Sequence, residues 1–380
     1  MVSSLSRLSI VFVLVLALSA VGAAAQSLPD DAPSALRQFN TDLSSYSIDL
    51  SELRSGGPPK DGIPSIDTPT FVAPSQASDW IEPQEPVIAL ELNGKARAYP
   101  LQILTFHEIV NDRIGGTPVA VTFCPLCYSA IVFERTLDGE PVEFGVSGML
   151  RKSDLVMYDR KTETLWQQFT GEAIVGDLTG QTLEQLPAQI ISFQQFRQNF
   201  PSGEVLSRDT GHNRPYGRNP YAGYDDVDKK PFLYDGPENG KLPPMEKVVT
   251  ISIGGTHKAY PRSVTKEKHV VNDAVAGQPL AVFHAPGAVS ALDASQIADS
   301  KEIGSTGVFN RQVDGRTLTF TYAGDGQFKD EQTGSLWTVT GRAVEGELRG
   351  TQLDRLEHGD HFAFAWFAFR PETDLYRAAG

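Results

Sequence analysis

Residues 87–130 return at 248–291 with a constant offset of 161 and no gap, and the two stretches agree at 15 of 44 positions. Ala98-Tyr99-Pro100 meets Ala259-Tyr260-Pro261, and Val110-Asn111-Asp112 meets Val271-Asn272-Asp273. Further along, Thr164-Leu165-Trp166 meets Ser335-Leu336-Trp337. Gly171, Ala173, Gly176 and Gly180 then meet Gly341, Ala343, Gly346 and Gly350. An ordered series of this kind reads as an internal repeat, and it ties whatever one half folds into to what the other half can fold into. The chain divides on this reading into an N-terminal arm (26–80), a first repeat (81–210), a connecting segment (211–246) and a second repeat (247–376).

Within one copy the pattern is strands and turns. VIALELNGKARAYP alternates, turns at Asn-Gly and alternates again, which is a hairpin signal. A short helix over 101–110 follows, then strands at 119–123, 131–135, 142–146, 155–158 and 165–168. Phe193, Phe196 and Phe200 are spaced three and four apart and predict a helix stopped at Pro201. With 34 glycines and 25 prolines, the expected class is a β-rich α+β fold: two tandem homologous domains of short antiparallel strands with a few short helices. Each repeat is long enough to bury a core of its own.

The chain opens MVSSLSRLSIVFVLVLALSAVGAAAQ. One early charge, an apolar run and a small-residue ending give the three-part pattern of a secretory signal over 1–25, cleaved between Ala25 and Gln26. The expectation is export to a periplasmic or extracellular space, with no integral membrane segment after cleavage. The arm at 26–80 is rich in Ser, Pro, Asp and Gly, and reads as extended and partly disordered. A formal charge of -14 argues against nucleic acid as a partner.

The chain has two cysteines, Cys124 and Cys127, in a Cys-Pro-Leu-Cys turn after a strand. A disulfide closing so small a ring stabilises by only about 2 kcal/mol in the chain-entropy model, so a staple is a weak reason for the pair. The second repeat sharpens this. Cys124 faces Ala285 and Cys127 faces Ala288, while Pro125 and Ser129 recur as Pro286 and Ser290. The turn is present in both halves and the sulfurs in one. By the same comparison Asn111 and Asp112 read as turn or cap residues, and Trp166 and Trp337 as core.

Two thiolates and an imidazole suit a soft ion, which points to copper(I), with zinc behind it because no second Cys pair completes a closed zinc site. His107 is the candidate third ligand, since the second repeat has Lys268 there. Glu108, Met149, Met157 and His212 are further candidates. A redox role with an electron-transfer partner, thiol–disulfide exchange at Cys124 and Cys127, and a non-catalytic binding module stand beside metal binding, and no catalytic residue is assigned. In 211–246, Arg214, Tyr216 and Arg218 are candidate contacts for an anionic or sugar ligand, against a structural reading in which the segment seals the joint between repeats. Asp225, Asp226 and Asp228 lack the spacing and the closing Glu of an EF-hand loop.

The strings HEIVND, TFCPLCYSAIVFER, FGVSGMLRKSDLVMYDRKTETLWQQFTGEAIVG and LSRDTGHNRPYGRNPYAGYD resemble an exported prokaryotic family, domain-of-unknown-function family 3179. The resemblance runs from Val87 to Tyr224 and continues more weakly through the second repeat. It implies a shared His-Glu element and Cys-Pro-Leu-Cys turn, here His107, Glu108, Cys124 and Cys127, and brings no reaction with it. Tyr128 stands where the resemblance leads one to expect glycine.

Overall fold

A computed structural model of the chain describes residues 32–377. The signal segment lies outside them. Among the described residues the architecture is β-rich, with five short α-helices set among small, mostly antiparallel sheets. No helix there is long and apolar enough to cross a membrane.

The Asn-Gly hairpin forms as the pattern predicts. Pro86–Leu92 pairs with Lys95–Pro100, and Asn93 and Gly94 take φ of +51° and +72° at the turn. Both central residues are left-handed, the type whose twist matches paired strands. The helix Leu101–His107 is shorter than the pattern suggests, because Glu108 ends it at φ +58° and turns the chain into the strand Ile109–Ile114. Strand Thr117–Cys124 pairs back on that strand and forward with Ser129–Glu134. The helix Phe193–Asn199 is capped by Ser192, whose hydroxyl accepts from the Gln195 amide at 3.2 Å while the Gln195 side chain accepts from Ser192 N at 3.0 Å.

The same order of hairpin, seven-residue helix and paired strands occurs from Lys247–Ile253 to Gln278–Ala285. Particular bonds recur with it. Asn111 clamps both backbone groups of Phe144 (2.9 and 2.8 Å), and Asn272 clamps those of Phe320 at the same distances. Trp166 donates to Asp159 at 3.0 Å and Trp337 to Asp330 at 2.9 Å. Both tryptophans are fully buried. Asn111 and Asp112 are therefore structural, yet they lie inside a strand rather than at a turn or cap. Asp112 accepts from Arg97 and from the buried Tyr99 hydroxyl.

Two of the core clusters span both halves, while a third, from Val249 to Val308, lies within the second. One cluster joins Val87, Phe193 and Phe196 to Phe283, Phe309 and Trp337. Another joins Cys124, Cys127 and Tyr128 to Phe362, Phe364 and Trp366. Gln189 bonds the carbonyls of Thr306 and Val339, and the Phe362 amide bonds Cys127 O at 2.9 Å. Apolar surface that each half would otherwise show to water is covered by the other.

The described part of the arm, from residue 32 onward, packs on the body. Leu36, Phe39, Leu50 and Leu53 bury against Met149, Val156 and Leu165, and strand Leu53–Ser55 pairs with Phe144–Arg151. Four large side chains in a polar stretch suffice to fasten it. Gly148 lies in the bulge of that strand at φ +77°, where a Cβ would collide with the Pro58 carbonyl oxygen. Gly148→Ala is expected to cost more than about 2 kcal/mol through backbone strain and overlap. A urea unfolding curve equal to that of the parent would contradict this.

Candidate functional site

Cys124 closes its strand and Cys127 follows in the turn, whose backbone is held by Cys127 N to Cys124 O and Tyr128 N to Pro125 O, both at 3.3 Å. Tyr128 stands at φ +53°, in the region that glycine enters without penalty. Tyr128 tolerates this because it is fully buried, edge-on to Phe123, tilted against Phe362 and under the Lys247 ammonium at 4.7 Å.

A second element reaches the thiols. The hairpin Phe144–Arg151/Asp154–Asp159 turns at Lys152 and Ser153, both left-handed. The turn sets the Ser153 carbonyl 3.4 Å from the Cys127 sulfur and 4.0 Å from that of Cys124. The next residue, Asp154, is fully buried. Its Oδ2 accepts from Gln167 Nε2 at 2.7 Å and from Phe169 N at 3.0 Å. Its Oδ1 is buried without a hydrogen-bond partner among the described residues. Cys124, Cys127 and Asp154 form a group whose ligand atoms all lie within 4.8 Å of one another.

The electrostatics follow from burial. Desolvation pushes the Asp154 carboxyl up to about 7, against hydrogen bonds from Gln167 and the Phe169 amide that favour the charged form. Desolvation, then the neighbouring Asp154, pushes Glu108 up to about 8. The Cys124 thiol is raised and that of Cys127 raised well above its ordinary range, burial being the largest cause in both. Without a cation the pocket is a nest of protonated acids.

The connecting segment roofs this nest. Tyr224 donates to Leu126 O at 3.1 Å and accepts from Phe232 N, and the Ser153 hydroxyl bonds Phe232 O. Tyr221 is held protonated by burial beside Glu108 and Cys124. Asp225 anchors the roof by accepting from Lys247 at 2.6 Å, from Lys301 at 3.0 Å and from the Ser290 hydroxyl.

His107 is placed elsewhere. Its Nδ1 faces the Pro64 carbonyl at 2.7 Å and must donate to it, so Nε2 accepts from the Tyr216 hydroxyl at 2.6 Å. Both ring nitrogens are engaged, and His107 is not in the group that Asp154 forms with the two thiols. Glu108 stays beside the thiols. Met157 lies in the same core cluster as the cysteines and Met149 in the core under the arm. His212 is exposed, with its ring 5.3 Å from that of His107. Arg214 and Arg218 are exposed too, and Tyr216 serves His107 and Thr210.

One signal for Asp154 was present in the sequence. Fourteen residues separate Phe144 from Asp159, and nine separate their counterparts Phe320 and Asp330. The first hairpin is five residues longer, and its extra tip carries Lys152, Ser153 and Asp154.

No curated protein and no solved structure matches the chain. Residues 60–373 match a family model described as "Protein of unknown function (DUF3179)". With most of its length inside that match, and with the Cys-Pro-Leu-Cys turn and Asp154 both within it, the chain belongs to the DUF3179 family.

Proposed function

We propose that Cys124, Cys127 and Asp154 bind one thiophilic divalent ion, zinc before copper, in an exported protein. The observation that carries this reading is the buried, unpartnered Asp154 Oδ1 beside two buried thiols. A carboxylate oxygen in place of an imidazole changes the preferred ion, because copper(I) favours sulfur and nitrogen whereas zinc takes cysteine and carboxylate together. Charge argues the same way. Two thiolates and a carboxylate around a divalent ion leave one net negative charge buried, and around copper(I) they leave two, at a higher desolvation cost. Gln167 and the Phe169 amide orient Asp154 through Oδ2, and Glu108 remains as a protonated neighbour able to donate a hydrogen bond.

Thiol–disulfide exchange fits less well. It needs an accessible thiolate, and these thiols are at most 1% exposed with pKa values pushed upward. We also infer that the two halves are copies and that the second has lost, or never gained, the centre. The recurring Asn and Trp–Asp bonds, Ala285, Ala288 and the shorter second hairpin support this.

Elemental analysis of protein refolded with zinc tests the proposal. One equivalent per chain is expected, lost in the Cys124→Ser/Cys127→Ser variant and retained in His107→Ala. Asp154→Asn should weaken binding by more than the roughly 10–100-fold typical of second-shell losses. Sub-stoichiometric zinc in the parent, or a loss in His107→Ala equal to that in Asp154→Asn, would sink the reading.

A further inference from the structure

We propose that a cavity of about 630 Å³ between residues 233–241 and the helix Ala363–Phe369 binds a small amphipathic carboxylate, an anionic head on an apolar body. Its size is within the ordinary range of small-molecule pockets. Leu233, Tyr234, Pro237 and Phe367 give it apolar wall. Leu233 in that wall is 37% exposed, one of the few large apolar side chains left to solvent among the described residues. A bound apolar body would cover Leu233, which is energetically favourable.

Charge for charge the wall balances, Arg54, Lys152 and Lys241 against Glu52, Asp235 and Glu238, and an excess of positive charge arises only because Arg151, outside the wall, takes up Glu52. Glu52 is engaged by Arg151 at 2.6 Å, and Asp235 by Arg54. Lys152 and Lys241 have no acid partner. Their ammonium groups donate to backbone carbonyls of Ala368 (3.1 Å) and Thr373 (2.8 Å), and each has donors left over. Capping those carbonyls is one role for the lysines, but of the three acids in the wall only Glu238 is left without an ion pair to set against them, in a chain whose formal charge is -14. One net positive charge and an apolar wall suit a monoanion with a tail better than a phosphate dianion, which Glu238 would repel. The pocket is distinct from the dithiol group, and the inference does not depend on a metal.

Calorimetric titration of the full chain with sodium octanoate, 1-octanol and inorganic phosphate tests it. Octanoate should bind, octanol about tenfold or more weakly, and phosphate more weakly still. Lys152→Met and Lys241→Met should each reduce octanoate affinity about tenfold, the effect of one charge-assisted hydrogen bond. Leu233→Glu should weaken octanoate and octanol alike. Lys241 stands away from the thiols, so that variant carries the test if Lys152→Met does not fold, as judged by melting. Absence of octanoate binding at millimolar concentration, octanol or phosphate binding as tightly as octanoate, or folded lysine variants indistinguishable from the parent would overturn the proposal.

Discussion

Replacing Asp225 with asparagine should lower the stability of the whole chain by about 3–5 kcal/mol, the usual effect of removing one member of a buried ion pair and stranding the other. Asp225 is fully buried at its carboxyl and meets Lys247, itself 7% exposed, at 2.6 Å. Burial alone would raise the Asp225 pKa, but Lys247, Ser290 and Lys301 outweigh it and hold the carboxyl below its ordinary range. Stability from this group is present above the unfolded carboxylate value near 4 and is lost as pH falls through the lower folded value. Urea unfolding measures the effect. The paired variant Asp225→Leu/Lys247→Met should recover most of the loss, since no buried charge is then left unpaired and the half-exposed Lys301 keeps Asp293. A single variant within about 1 kcal/mol of the parent would show that the anchor carries no weight.

The metal-free protein should be most stable between about pH 5 and 6 and should lose roughly 3 kcal/mol between pH 6.5 and 8. The sign follows from which state holds more protons. Asp154 and Glu85, both raised to about 7, and Glu108, raised to about 8, keep their protons in the native state where an unfolded chain has shed them near pH 4. Each proton still held there costs about 1.4 kcal/mol per pH unit, and the fall levels off as the native state gives the protons up between pH 7 and 8. Below 6.5 the buried histidines act in the opposite sense. His107, His284 and His361, lowered by desolvation to about 4, 2 and 3, stay neutral in the fold while the unfolded chain takes up protons. Thermal melts in chelator from pH 5 to 8.5 test the profile. Glu108→Gln and Asp154→Asn should each flatten its alkaline side, and a parent profile level from 6.5 to 8 would contradict the assignment.

The Asn-Gly hairpin and the helix Phe193–Asn199 were legible because local signals fix them: alternation, a left-handed dipeptide, a phenylalanine face. The cysteine turn was legible because its counterpart, Ala285 to Ala288, lacks the sulfurs. Asp154 was not singled out, since the acid that completes the group sits 27 residues past Cys127, on another hairpin. Adjacency in sequence favoured His107 instead, but the end of its helix directs that ring toward Pro64 and Tyr216. The roofing role of Tyr221 and Tyr224 depends on an anchor at Asp225 whose partners, Lys247, Ser290 and Lys301, all follow it in the chain.

The bond from the Phe362 amide to the Cys127 carbonyl has a consequence for the order of synthesis. Phe362 leaves the ribosome 235 residues after Cys127, and its ring also packs on Tyr128 and Tyr224. The dithiol turn therefore spends most of the chain's production without its far-side support. Its thiols are open to oxidation or to a competing ion throughout that interval. Finishing the polypeptide and finishing the centre become one event, so an ion held there would mark a molecule whose last strands have docked.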